Sequence, residues 1–149
     1  TLQLIDGRGD PVLTPGVVDD FVAMGFSGDG WFEGTPAFVG YGIRNKERDY
    51  DSYAGVPADA LEGKVAIVYR YEPHDEEGES RWGGTPWTDA AALPAKVRWA
   101  VEHGAEAVMV VDPPSLEANA LRETASTSFG ERVEVPVYHL RLAAFRRIL

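Results

Sequence analysis

The sequence predicts a mixed α/β fold, and three segments carry that prediction. Val65 to Tyr69 is a β-branched run introduced by Gly63-Lys64, the pattern of a central strand. From about Pro94 to His103 the chain reads as a helix, with proline at its first position and Gly104 at its stop. Leu93, Val97, Ala100 and Val101 fall at the spacing of one buried face. Ala105 to Val111 is a second buried strand, ended by Asp112-Pro113-Pro114. Strand, helix and strand in this succession predict a right-handed crossover between parallel strands.

The remaining elements follow from shorter signals. Residues 1 to 35 are rich in Gly, Asp and Pro, with apolar runs at Leu2 to Ile5 and Val17 to Phe26 that read as two modest strands. Pro36 to Ile43 reads as a third, and Gly40 and Gly42 around Tyr41 suit a bulge or close backbone approach at its end. Arg44 to Asp51 is charged enough to read as a solvated loop. Pro73 to Thr88 holds Gly78, Gly83-Gly84 and Pro86 and reads as a long surface loop, a kind that in compact domains is usually functional or mobile. Ser115 to Glu134 is polar and irregular, with a helical turn near Leu116 to Leu121. Val135 to Leu140 reads as a last strand, and Leu142, Phe145 and Leu149 space a closing helix.

At 149 residues, with no internal repeat, the chain 1–149 reads as a single domain. Its formal net charge of −10, without a basic stripe, argues against nucleic acid and against an anionic membrane surface. There is no cysteine, which removes disulfides, thiolate metal sites and cysteine nucleophiles together. No apolar run reaches the roughly 18 residues of a spanning helix, and no signal peptide opens the chain. Because it begins at Thr1, it is expected to be a piece of a longer protein.

His74-Asp75-Glu76-Glu77 places an imidazole and three carboxylates in four residues. A metal site needs convergent ligands, and neighbouring side chains on an extended loop point alternately apart. A solvated loop is therefore the expected state, with weak calcium binding the more plausible metal alternative. His103 is expected at a helix end and His139 half-buried in a strand. Nucleophilic catalysis has little support: there is no G-x-S-x-G elbow, and Ser27 has no evident histidine partner. Gly25, Gly28 and Gly30 make no phosphate loop, and Arg8-Gly9-Asp10 reads as turn chemistry. Trp31, Trp82 and Trp87 lie in predicted loops, where they either form a recognition surface or fold back as anchors; Trp99 reads as edge packing on the helix.

The ordered string Phe38-Val39-Gly40-Tyr41-Gly42-Ile43, Tyr50-Asp51-Ser52-Tyr53-Ala54-Gly55, Leu61-Glu62-Gly63-Lys64 with Val65 to Arg70, then Tyr71-Glu72-Pro73, an acidic loop, a helix bearing Lys96, Gly104 to Val111 and Val135-Pro136-Val137-Tyr138-His139-Leu140 resembles a known family. It is similar to the protease-associated (PA) domain inserted in zinc-dependent aminopeptidases of the leucyl aminopeptidase and glutamate carboxypeptidase superfamily. The similarity covers about two-thirds of the chain, from Phe38 to Leu140.

The resemblance implies a partly open β-barrel or sandwich of about six or seven strands, swivelling β/β/α-like, flanked by two or more helices. It implies a non-catalytic accessory domain that shapes substrate access or mediates protein contacts. Its partners would be the parent peptidase domain and peptide substrate, in an extracellular, periplasmic or cell-envelope setting. No cofactor is expected in this chain, zinc being held by the parent's catalytic domain. Trp82, Trp87, Tyr41, Tyr50 and Tyr53 are the candidate contact residues, the tyrosines resembling the family's recurring ones. Two alternatives stay open: a small metal-dependent hydrolase using His74, Asp75, Glu76 and Glu77, or a free-standing ligand or sorting module.

Overall fold

The computed structural model describes residues 3–5, 8–13, 20–83, 87–116 and 132–148. Strands β1 (Leu4–Ile5) and β2 (Pro11–Leu13) pair with each other. β3 (Phe21–Ala23) and β4 (Thr35–Phe38) lie at the two edges of the main sheet. β5 (Arg44–Asn45) and β6 (Tyr50–Asp51) form a hairpin. The centre of the domain is β7 (Lys64–Tyr69), α1 (Leu93–Glu102), β8 (Ala107–Val111), β9 (Val137–Leu140) and α2 (Leu142–Ile148).

The main sheet has five strands in the order β3-β9-β8-β7-β4, in which β4, β7, β8 and β9 are parallel and β3 is an antiparallel edge. The fold is therefore mixed α/β, with a mixed sheet and, among the described residues, two α-helices. The β7-α1-β8 crossover expected from the sequence is present, with Ile67 beside Met109 in register. All five residues of β8 are buried, as a strand covered on both faces requires.

Alternate residues feed two cores. Ala66, Val68, Val108, Val110 and Val137 pack under α1 with Leu93, Val97 and Ala100. Val65, Ile67, Ala107, Met109, Val111 and Leu140 pack under α2 with Leu142, Ala144 and Phe145. Fully burying one such aliphatic side chain is worth about 1.5–3 kcal/mol, so these two faces dominate the folding energy. Gly104 ends α1 at φ +94°, and a Cβ there would stand 2.7 Å from Glu62. No helix among the described residues is long and apolar enough to cross a membrane.

Several boundaries differ from the sequence reading. The run Val17 to Phe26 yields only β3, with 17–19 outside the described residues, and Pro36 to Ile43 yields β4, one residue earlier and much shorter. Hydrogen bonding to β7 runs on past Phe38, with Val39 N donating to Ile67 O at 3.0 Å and Tyr69 N donating to Gly40 O at 2.8 Å, before Gly40 and Gly42, both at φ 62°, turn the backbone away. Arg44 to Asp51, read as a plain loop, is the β5–β6 hairpin. Its ends are joined by the Arg44–Asp51 ion pair at 3.0 Å, and the Asn45 side chain accepts from Arg48 N at 3.2 Å. Two-residue strands carry no alternation for a pattern to register. Beyond the 3-10 turn Pro114–Leu116, the helical turn expected to Leu121 lies outside the described residues.

Candidate functional site

The C-terminal end of β7 gathers Tyr41, Glu72, His74, Trp87 and Lys96, the position where open α/β sheets usually bind. Lys96 projects from α1 into this region and is fully buried. Its Nζ donates to the Tyr69 carbonyl at 2.7 Å and also to the Tyr71 carbonyl. Burial lowers its pKa to about 7, and the nearby Glu72 carboxylate opposes that shift. Tyr71 takes a left-handed backbone at φ 64°, turning its carbonyl to the amine. Its ring is held by stacking on Trp87, with centroids 4.7 Å apart, and by the Arg70 guanidinium 5.0 Å above it.

Glu72 is also fully buried, and its carboxylate is the fastening point of the long loop. It accepts from the Ser80 hydroxyl, the Thr88 hydroxyl and the Thr88 N–H, the last at 3.2 Å. The loop 73–88 therefore has both limbs tied to the sheet end. Residues 84–86 of that loop lie outside the described residues.

His74 follows two residues later and points inward, 8% exposed. Its Nδ1 lies 2.9 Å from the Glu72 carbonyl oxygen, which can only accept. The proton is thereby placed on Nδ1, leaving Nε2 as the acceptor. The partner of Nε2 is the Ser115 hydroxyl at 2.6 Å, while the Tyr41 hydroxyl stands 3.3 Å from Nδ1.

The sequence-predicted contact residues divide into three places. Tyr41 sits at the site, its ring 6.0 Å from His74 and 5.6 Å from the Lys96 amine; burial, then Tyr50 and Tyr69, raise its phenol pKa. Trp87 is half-buried beside it, 6.0 Å from His74. Tyr50 and Trp82 form a separate edge-to-face pair at 5.4 Å, fixed by Arg48 donating to the Trp82 carbonyl at 2.8 Å. Tyr53 is elsewhere: it is buried in the core, stacked at 4.2 Å on His103, and burial raises its pKa strongly. Trp31 is 83% exposed.

The four-residue acidic cluster does not converge. His74 turns in while Asp75, Glu76 and Glu77 are exposed, and no group of three His, Asp or Glu able to hold a metal occurs among the described residues. Both His74 nitrogens already face protein oxygens.

Sequence reasoning missed Lys96, Glu72 and Ser115 as site residues. It also missed a second set, Arg70, Asp112 and His139, at the same end of the sheet: Asp112 Oδ1 lies 3.4 Å from His139 Nε2 and 3.7 Å from Arg70 Nη1. His139, expected half-buried, is only 2% exposed. A signal was present for this set in Arg70 and Asp112, the first residues after two buried strands. Neither known protein-family models nor curated proteins give a match to this chain.

Proposed function

We propose that this domain is an accessory module of PA type that takes no part in peptide-bond cleavage, carried by a larger zinc-dependent aminopeptidase or carboxypeptidase, where it shapes substrate access or holds the peptidase domain. The single observation that supports this reading most is the anchored loop 73–88. Glu72 fastens it at Ser80 and Thr88, and it carries Trp82 and Trp87 half-buried together with exposed Asp75, Glu76, Glu77 and Glu79. A loop tied at Ser80 and Thr88 and bearing partly exposed aromatic rings is suited to a contact surface, because large rings bury area with little loss of freedom.

In this reading the partly open PA-type barrel is the parent architecture, and its partners are the peptidase domain and the peptide. Zinc belongs to the catalytic domain, in an extracellular or cell-envelope protein. The negative loop favours basic peptides over acidic ones, an effect that weakens as salt rises. The test replaces Trp82 and Trp87 by alanine, singly, in the full-length parent and compares kcat/KM for long and short peptides. A selective loss on long peptides supports the module. Unchanged kinetics on every substrate would overturn the loop's role.

A further inference from the structure

Ser115 and His74 have a relationship that an accessory contact surface does not require. Ser115 lies in the turn Pro114–Leu116, directly after β8, where Pro113 and Pro114 restrict the backbone and Leu116 N donates to Pro113 O at 2.9 Å. Its residue is exposed, whereas the histidine behind it is buried. His74 is held by its own bridge to Ser80 and by the Glu72 carbonyl at 2.9 Å. An acceptor-only oxygen on Nδ1 leaves the Nε2 lone pair directed at the hydroxyl, 2.6 Å away. A hydroxyl on an exposed residue, a buried base within hydrogen-bond reach and a third group that orients the base are the parts of an activated nucleophile.

We propose that Ser115 is a base-activated nucleophile, with His74 as its base, that takes an acyl group from esters carrying an aromatic leaving group. The aromatic preference follows from Tyr41 and Trp87, whose rings both stand 6.0 Å from the imidazole. In the first step Ser115 Oγ bonds to the ester carbonyl carbon as its proton passes to His74 Nε2. The bond from that carbon to the leaving oxygen then breaks, and the phenol departs with the proton from Nε2. The products are an acyl-Ser115 ester and neutral His74. In the second step Nε2 takes a proton from water, the oxygen adds to the acyl carbon, and Ser115 leaves with that proton. Ester and water have become acid and alcohol, with no other reactant consumed.

The test uses p-nitrophenyl acetate on the 149-residue chain, with phenol release followed by absorbance and the acetyl group located by peptide mass spectrometry. One acetyl per chain on Ser115 is expected. Ser115→Ala should abolish that adduct, and Ser115→Cys should restore labelling at the same position. His74→Gln, checked as folded by near-ultraviolet dichroism, should slow it about 100-fold or more. Acetyl found on lysines, tyrosines or the amino terminus with Ser115 untouched would overturn the proposal. So would labelling of Ser115 at an unchanged rate in folded His74→Gln. Because the readout is on this chain alone, it is independent of the kinetics of any parent peptidase.

Discussion

Thr88 returns to Glu72 across sixteen residues of chain, giving the buried carboxylate both its hydroxyl and, at 3.2 Å, its backbone N–H. With Ser80 as the third donor, one side chain closes the loop that bears both tryptophans. Lys96 lies near enough for that carboxylate to favour its charged form. Removing one member of such a set leaves buried donors, or a buried charge, without an answer.

Glu72→Ala is expected to destabilise the domain by about 1–3 kcal/mol, the cost of leaving a buried hydrogen-bonding group without its partner. Glu72→Gln keeps an acceptor and should cost less. Urea unfolding checks both. A loss within about 0.5 kcal/mol for the alanine variant, the size of an ordinary surface change, would refute the fastening role.

Lys96 should make stability rise with pH above neutrality. Its folded pKa, about 7, lies below the ordinary value of 10.5, so between those values the unfolded chain binds more protons than the folded one. Stability therefore increases as pH rises through that window, and below it Lys96 is charged in both states. Near pH 10 the half-buried phenol of Tyr41 and the buried phenol of Tyr53 oppose this, since their raised pKa values make the folded state hold protons that the unfolded state releases. Urea midpoints from pH 6 to 9 should climb in the native chain and flatten in Lys96→Met. An equal slope in both would reject the assignment.

The two glycines around Tyr41 should respond unequally to alanine. Both have φ +62°, but a Cβ on Gly42 would stand 2.7 Å from Val68 Cγ1, while nothing lies within 4 Å of one on Gly40. Gly40→Ala is expected to cost about 1 kcal/mol from backbone strain alone, and Gly42→Ala more, because Val68 belongs to a close-packed core. Equal losses in thermal or urea unfolding would show that the strand end adjusts.

The chain should unfold in a single cooperative transition with strong near-ultraviolet dichroism, since one sheet joins the two cores through shared strands. Ile67→Ala, at a fully buried position, should lower stability by about 2–5 kcal/mol without splitting that transition. A broad melt with weak dichroism would count against an independent domain.

The centre of the fold was legible because β7, α1 and β8 obey simple rules: apolar runs for buried strands, a 3.6-residue stripe for the helix, proline and glycine at its ends. Lys96 was not, because a lysine on a helix reads as solvated unless the carbonyls waiting for it are known. Glu72 was hidden for the same reason, its donors lying eight and sixteen residues ahead. His74 drew notice for its acidic neighbours, yet its oxygen partner Ser115 is 41 residues away. Local pattern shows which side chains are near in sequence, and this site is assembled by strand order.

The separation of His74 from its acidic neighbours gives the last prediction. A hydrolase built on residues 74–77 would need at least the histidine and two carboxylates on one ion. Here the imidazole is sequestered by Glu72 O and Ser115 Oγ, Asp75 accepts from Glu79 N at 2.9 Å, and Glu76 and Glu77 are exposed. Binding that required His74 to swing out would forfeit both of its hydrogen bonds, at about 0.5–1.5 kcal/mol each. Zinc or calcium in modest excess should therefore leave Tm unchanged, since an ion that does not favour the folded state cannot stabilise it. Glu76→Ala and Glu77→Ala should stay within about 0.5 kcal/mol of the native chain. Added zinc, cobalt or manganese should produce no hydrolysis of aminoacyl or peptidyl chromogenic substrates. A zinc-dependent rise in Tm that disappears in Glu76→Ala or Glu77→Ala, accompanied by peptide turnover, would replace the accessory-domain reading with the metal-dependent hydrolase.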